Sequence, residues 1–203
     1  MRILYLGPRR DHIIEFLRGQ DDEVVHTDKR ISVRSRILLD VDFIVSYGYQ
    51  YIVREEILLR FLRKVVNLHI SLLPYNRGKD PNLWSFLEDT PKGVTIHYID
   101  PGIDTGDILA QKELTFADTE TLRTTYAKLS ATIESLFMEI WPRVRTGQHP
   151  CFPQPKGGTF HYARDIKQVE HLLTEGWDTP VRGLIGCCQQ ETLEIARVSE
   201  DSI

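Results

Sequence analysis

Two short blocks of this 203-residue chain carry side chains able to do chemistry together. The first is Asn67-Leu68-His69, running on through Ile70-Ser71-Leu72-Leu73-Pro74 to Arg77-Gly78. Asn67 and His69 stand two positions apart at the end of an apolar run, so on a strand their side chains point to the same side. An amide and an imidazole held side by side can polarise a carbonyl and move a proton. The second block runs from Gly93 to Leu109 and carries Asp100, Asp104 and Asp107 around the turn Asp100-Pro101-Gly102. A carboxylate from such a turn could fix the orientation of a histidine. A paired-carboxylate glycosidase would use Asp100 and Asp104 but leave Asn67 and His69 without a task. His97 lies inside a strand pattern and is read as structural.

The elements around these blocks read as α/β. Ile3 to Leu6, Glu23 to His26, Asp42 to Tyr47 and Lys64 to Leu68 are short apolar runs. Between them, His12 to Arg18 and Glu55 to Arg63 repeat apolar residues at helical spacing, the second with Ile57, Leu58 and Phe61 on one face and Leu62 beside them. This alternation predicts right-handed βαβ units and a mainly parallel sheet with helices on both faces. Ligands in such sheets bind beyond the carboxyl ends of the strands, where Asn67 and His69 fall. Gly93 to Ile99 and Asp107 to Leu114 read as two further strands. Leu122, Tyr126, Leu129, Ile133, Leu136, Phe137 and Ile140 predict a long helix, capped by Asp118 or Thr119, ending near Pro142, with that stripe in the core. Pro150 to Pro155 reads as extended, Ile166 to Leu173 as a helix, and Arg182 to Val198 carries weak strand signals. The division expected is a catalytic domain over residues 1–142 and a C-terminal extension over residues 143–203.

Composition narrows the partners. Hydrophobic residues make up 41% and charged residues 27%, as in an ordinary globular protein. A net charge of −4 argues against nucleic acid as the main ligand, since phosphate neutralisation needs an excess of Lys and Arg. Cys151, Cys187 and Cys188 have neither the number of a disulfide framework nor metal-ligand spacing, so no metal is expected. The charge-free run Phe43 to Val53 is far short of the about 20 residues of a spanning helix. The opening Met1-Arg2-Ile3-Leu4-Tyr5-Leu6-Gly7 breaks too soon for a signal peptide, so a cytoplasmic location is expected. After the first strand, Gly7-Pro8-Arg9-Arg10-Asp11 lacks the glycines of a dinucleotide fingerprint and the Gly-Lys-Ser/Thr of a phosphate loop. Arg9 and Arg10 could still meet an anion there.

Taken together, the two blocks resemble the folate-dependent formyltransferase family. Its pattern is Asn-x-His-x-Ser-Leu-Leu-Pro, then Arg-Gly, then Gly-Val-Thr-x-His, then Asp-Thr-Gly-Asp-Ile, and every element occurs here in order, over about residues 1 to 142. The resemblance implies a Rossmann-like sheet, N10-formyltetrahydrofolate as donor and an amine as acceptor. It implies Asn67, His69 and Asp104 as catalytic residues. The loop Tyr49-Gln50-Tyr51-Ile52-Val53 would hold the pterin through backbone groups, and the turn Asp100 to Ile103 would line the same pocket. Attack of a neutral amine on the formyl carbon makes a tetrahedral oxyanion, to which Asn67 and His69 can donate. Asp104 can fix the imidazole tautomer and help carry off the amine's proton. His69 could be the base or the oxyanion donor. Asp100 and Asp107 are read as structural, one at the Pro-Gly turn and one entering the next strand.

Three acceptors compete within that family. The enzymes that formylate methionyl-tRNA carry a sizeable basic C-terminal barrel, which an acidic chain with a short extension does not match. Those that act on glycinamide ribonucleotide have a glycine- and serine-rich phosphate loop, from which Gly7-Pro8-Arg9-Arg10 departs. Arg77-Gly78-Lys79-Asp80-Pro81-Asn82-Leu83-Trp84 resembles the Arg-Gly-x-x-Pro-x-x-Trp pattern of sugar N-formyltransferases, as does Lys156 to Tyr162. The resemblance therefore implies a UDP- or dTDP-linked 4-amino-4,6-dideoxyhexose as acceptor, with the pseudaminic-acid pathway as the narrower reading. Arg9, Arg77 and Lys79 would meet the acceptor, Lys79 and Arg9 at its diphosphate, and the enzyme would be a homodimer. A non-catalytic folate or nucleotide-sugar binding module is the alternative of another class, and it has no need of the whole Asn, His and Asp set.

Overall fold

A computed structural model describes residues 1–188. The chain runs β1 (Arg2–Leu6), α1 (Asp11–Arg18), β2 (Glu23–Thr27), β3 (Phe43–Tyr47), α2 (Glu55–Arg60), β4 (Val65–His69), β5 (Arg77–Gly78), α3 (Pro81–Leu87), β6 (Gly93–Tyr98), β7 (Ile108–Glu113), α4 (Leu122–Val144), β8 (Phe160–His161) and α5 (Ile166–Val169). Six strands form one sheet in the order β2-β1-β3-β4-β6-β7, and β5 pairs with β8 in a second, two-stranded sheet. The first four strands are parallel, whereas β6 runs antiparallel to both β4 and β7. The main sheet is thus Rossmann-like over its first half and mixed beyond β4.

Alternation along the strands divides the core in two, because successive side chains leave opposite faces. Ile3, Tyr5, Val45 and Val66 pack with Ile13, Ile14 and Leu17 of α1 and with Ile133, Phe137 and Trp141 of α4. Leu4, Leu6, Ile44 and Val65 pack on the other face with Ile57 and Leu58 of α2, Phe61 and Leu38. Trp141 is edge-on to Phe43 with ring centroids 5.1 Å apart. A third cluster joins α3, the start of α4 and α5 through Leu83, Trp84, Leu87, Leu122, Val169 and Val181. Every residue of α3 is buried, so it shows no amphipathic stripe and no helix is foreseen there from the sequence.

Several expectations are corrected. The helix read over Glu55 to Arg63 ends at Arg60, and Leu62 is exposed to solvent. The long helix is capped by Thr121 rather than Asp118 or Thr119 and runs through Pro142 to Val144. Proline is tolerated there because only the last turn follows it, and Arg145 N–H still bonds the Trp141 carbonyl at 2.9 Å. Tyr126 leaves the core stripe and is 45% exposed. No strand forms between Arg182 and Cys188, and the remainder of the stretch read to Val198 lies outside the described residues.

The cap of α4 is reciprocal: Thr124 N–H donates to Thr121 Oγ1, and Thr121 N–H donates to Thr124 Oγ1 at 2.9 Å. Replacing Thr121 by Ala should destabilise the protein by about 1 kcal/mol in urea unfolding, while Thr121→Ser should keep nearly all of it. Equal unfolding midpoints for Thr121→Ala and wild type would show that the cap contributes nothing.

Candidate active site

The carboxyl ends of β3 and β4 lie next to one another, Ser46 opposite Asn67. On its other side Asn67 faces His97 of β6 across the antiparallel pair, and His69 faces Thr95. Asp104 reaches the same place from the loop between β6 and β7, with a left-handed backbone (φ 53°) of the kind that Asp and Asn tolerate better than other residues. Its Oδ1 accepts from Asn67 Nδ2 at 3.1 Å and stands 3.4 Å from His97 Nε2. Its Oδ2 accepts from Gly78 N–H at 2.9 Å and stands 3.7 Å from His69 Nδ1. Gly78 is needed there: its φ is 88°, and a Cβ would collide with the His161 carbonyl.

His69 is buried, and its Nε2–H donates to the Asn76 carbonyl at 3.1 Å. A carbonyl can only accept, so this bond puts the ring proton on Nε2 and leaves Nδ1, on the Asp104 side, as the open nitrogen. Burial pushes the His69 imidazole below its ordinary value of 6.5, and the Asp104 carboxylate offsets this only in part, so the ring is neutral at pH 7. Burial acts on Asp104 in the opposite sense. His69, His97 and the Gly78 N–H outweigh it, and the carboxyl is held far below the usual carboxylate range. The centre therefore pairs an ionised carboxylate with a neutral imidazole, a state ready to accept a proton.

A cavity of about 860 Å³ opens on this cluster, the size of a small-molecule site. Asn67, His69, His97 and Asp104 line it, as do Gln50, Tyr51, Ile52 and Val53 after β3 and Asp100 and Ile103 of the turn. Lys79, Tyr126 and Trp177 line it too. Lys79 is largely exposed, its Nζ 3.6 Å from Asp80 Oδ1. Asp100 Oδ1 accepts from Gly102 N–H and Thr105 Oγ1, which closes the turn. Asp107 takes Arg63 at 3.3 Å. Arg9 pairs with Asp11 at 2.6 Å and is not among the lining residues. Arg77 is also absent from the lining, its guanidinium donating to Gln154 Oε1 and the Gly157 carbonyl. Arg10 lies over the Tyr47 ring and 3.4 Å from Glu134. His97, read as structural from its strand, proves part of the cluster; only the pairing of β4 with β6 reveals it.

Residues 28–140 match the family described as formyl transferase. The chain is 36% identical over 145 residues to the methionyl-tRNA formyltransferase of Thermodesulfovibrio yellowstonii, covering 71% of this chain and 46% of that one. It thus spans about half the length of that curated relative. Among solved structures, the formyltransferase PseJ of Anoxybacillus kamchatkensis, in complex with UDP-4,6-dideoxy-4-formamido-L-AltNAc and tetrahydrofolate, is 54% identical. That match has a TM-score of 0.91 and covers 93% of this chain and 100% of the other. A 4-N formyltransferase of Francisella tularensis shares the fold at 22% identity and a TM-score of 0.73, over 82% of this chain and 78% of its own.

The site's charge state has a consequence for stability. Because His69 binds its proton less readily when folded, the unfolded chain takes up that proton first as the pH falls through 6.5. The stabilisation held by neutral His69 is complete above that value and is lost on acidification. Between about pH 7.5 and about pH 5.5, unfolding free energy should fall more steeply in wild type than in His69→Gln. Parallel pH dependences in the two proteins would refute a depressed His69.

Proposed function

The chain belongs to the formyl transferase family, and from that premise we propose that it transfers a formyl group from N10-formyltetrahydrofolate to the amine of a nucleotide-linked amino sugar. The acceptor we assign is a UDP- or dTDP-linked 4-amino-4,6-dideoxyhexose, in the pseudaminic-acid pathway. The observation that carries this reading is the likeness, over 93% of this chain, to the relative that holds a formylated UDP-sugar and tetrahydrofolate. The cavity over Asn67, His69 and Asp104 supports it, being large enough for two ligands to meet. The loop Gln50 to Val53 and the turn at Asp100 and Ile103 are the proposed folate-binding residues. A methionyl-tRNA acceptor fits less well with an acidic chain.

Bound folate supplies the formyl carbon as the electrophile. Asn67, steadied by Asp104, presents its amide to the formyl oxygen as that oxygen gains charge, where one such donor contributes about 2.7–4 kcal/mol. His69 is assigned the base: its Nε2–H is given to Asn76, so the amine's proton goes to Nδ1. The resulting imidazolium faces the Asp104 carboxylate, and His69 can return the proton to the departing folate nitrogen. Lys79 is assigned to the diphosphate, as an exposed point charge at the cavity. Arg9 and Arg77, engaged elsewhere, have no such role in this reading.

The division into a catalytic domain, residues 1–142, and an extension, residues 143–203, belongs to the same proposal; the family match ending at residue 140 supports it. So do a cytoplasmic location and a homodimer, the dimer supported by the resemblance. Among the described residues no helix is long and apolar enough to cross a membrane.

In a formyl-transfer assay with UDP- and dTDP-4-amino sugars, His69→Asn should lower kcat by about 100-fold or more. Lys79→Ala should raise acceptor KM about 10-fold and leave folate binding unchanged. Near-wild-type turnover in His69→Asn would remove it as the base, and equal turnover of the sugar without its nucleotide would refute the acceptor class. Sedimentation should give twice the chain mass; a single-chain mass at micromolar concentration would rule out the dimer.

A further inference from the structure

The segment after α4 returns across the sheet to the catalytic residues. Phe160 and His161 of β8 pair in parallel with Arg77 and Gly78 of β5. Arg77 N–H donates to the Thr159 carbonyl at 3.0 Å and Lys79 N–H to the His161 carbonyl at 2.9 Å. Gly158 permits the approach, since its φ is 89° and a Cβ there would run into the Pro74 carbonyl. From this seat the segment holds two points of the site. The Gln154 amide donates to the carbonyls of Asp104 at 2.8 Å and Gly106 at 2.9 Å, while Gln154 Oε1 accepts from Arg77. Thr159 Oγ1 accepts from Asn76 N–H at 2.9 Å and from Asn76 Nδ2 at 3.3 Å.

Asn76 is the residue whose carbonyl takes the His69 ring proton. It is fully buried, in the left-handed region (φ 56°), and is not itself among the residues that line the cavity. Its side chain is used up on structure: Nδ2 also donates to Glu88 Oε2 at 3.0 Å, and Oδ1 accepts from Thr90 at 2.8 Å. Glu88 in turn faces His161 Nε2 at 3.0 Å, and the His161 ring stacks on Trp84 with centroids 3.8 Å apart. The residue whose carbonyl sets the His69 tautomer is thus held by Glu88 and Thr90 from the stretch after α3 and by Thr159 from the segment before β8.

We propose that Gln154 and Thr159 are positioning residues for catalysis: Thr159, through Asn76, fixes the His69 ring as the Nε2–H tautomer with Nδ1 toward Asp104, and Gln154 fixes the loop that carries Asp104. Neither touches the reacting atoms. Both belong to the extension rather than to the two blocks that carry Asn67, His69 and Asp104, so the catalytic geometry is completed from outside those blocks. The proposal rests on His69 acting as base in formyl transfer, but its structural half is open to measurement without turnover.

Ring nitrogen shifts of His69 in ¹⁵N-labelled, ligand-free protein report the tautomer directly. Wild type should show Nε2 protonated and Nδ1 bare. Thr159→Val, which keeps the shape and removes the acceptor of Asn76 N–H, should shift the ring toward a mixture of tautomers and lower kcat by about 10- to 100-fold. KM for both substrates should stay within about 2-fold, because the binding residues are untouched. Thr159→Ser, which restores the hydroxyl, should recover both the shifts and kcat. Gln154→Ala, acting on Asp104 instead, should lower kcat by about 10-fold with the His69 shifts unchanged. A Thr159→Val protein that loses only thermal stability, with wild-type ring shifts and wild-type kcat, would make Thr159 merely structural and overturn the proposal. So would a change confined to KM. Absence of formyl transfer by wild type would instead defeat the assigned reaction, while the shifts would still decide the role of Thr159.

Discussion

A carboxylate withdrawn from water is the constraint around which this molecule is arranged. An ion taken out of solvent is tolerable only when its oxygens are met by donors or opposite charge. Asp104 meets that requirement with donors from two separate stretches, an amide from β4 and a backbone N–H from β5, while the His97 imidazole of β6 flanks it at 3.4 Å. Each can be in place only if the sheet order and register are right. The antiparallel pairing of β6 with β4 sets His97 directly opposite Asn67, at the flank of that carboxylate.

The same constraint explains how the two histidines differ. His97 sits inside the sheet, its Nδ1–H donating to the Tyr98 carbonyl at 2.8 Å, and acts as a fixed flank to the carboxylate. His69 sits one step beyond, its ring nearly perpendicular to His97 with centroids 6.3 Å apart. One nitrogen is anchored and the other open. A neutral imidazole beside an ionised carboxylate is stable there because burial disfavours the charged ring, yet the carboxylate lowers the cost of charging it during a reaction. The balance between those two effects is what makes the pair useful.

Much of this was legible in the sequence, and the exceptions have physical reasons. The strand period of two puts Asn67 and His69 on one side without any knowledge of the fold, and the apolar runs give the parallel half of the sheet. Cross-strand register is not written in local spacing, so His97 could not be told from an ordinary strand residue. Tyr126 keeps the helical spacing of the core stripe, yet it stands in the cavity wall, where its ring is half-exposed. Residue type alone does not single out Thr121 as the cap, because Asp118 and Thr119 are equally good caps by type; what selects it is the side chain of Thr124 three residues on. Arg77 carries the charge expected of a ligand-binding residue, but its neighbours in space, Gln154 and Gly157, come from far along the chain and claim its donors first.

The pairing of β5 with β8 joins residues that lie far apart in the chain: Asn76 and Thr159 are 83 positions from one another. A chain emerging from the ribosome would form the parallel strands and their helices early, since those contacts are short in sequence, and close this pairing late. Until it does, the pieces that set the histidine ring and the aspartate loop are still to come, although both residues have already been made. The fold thus imposes an order on biosynthesis, in which a nascent chain can bury its core well before it can carry out its reaction.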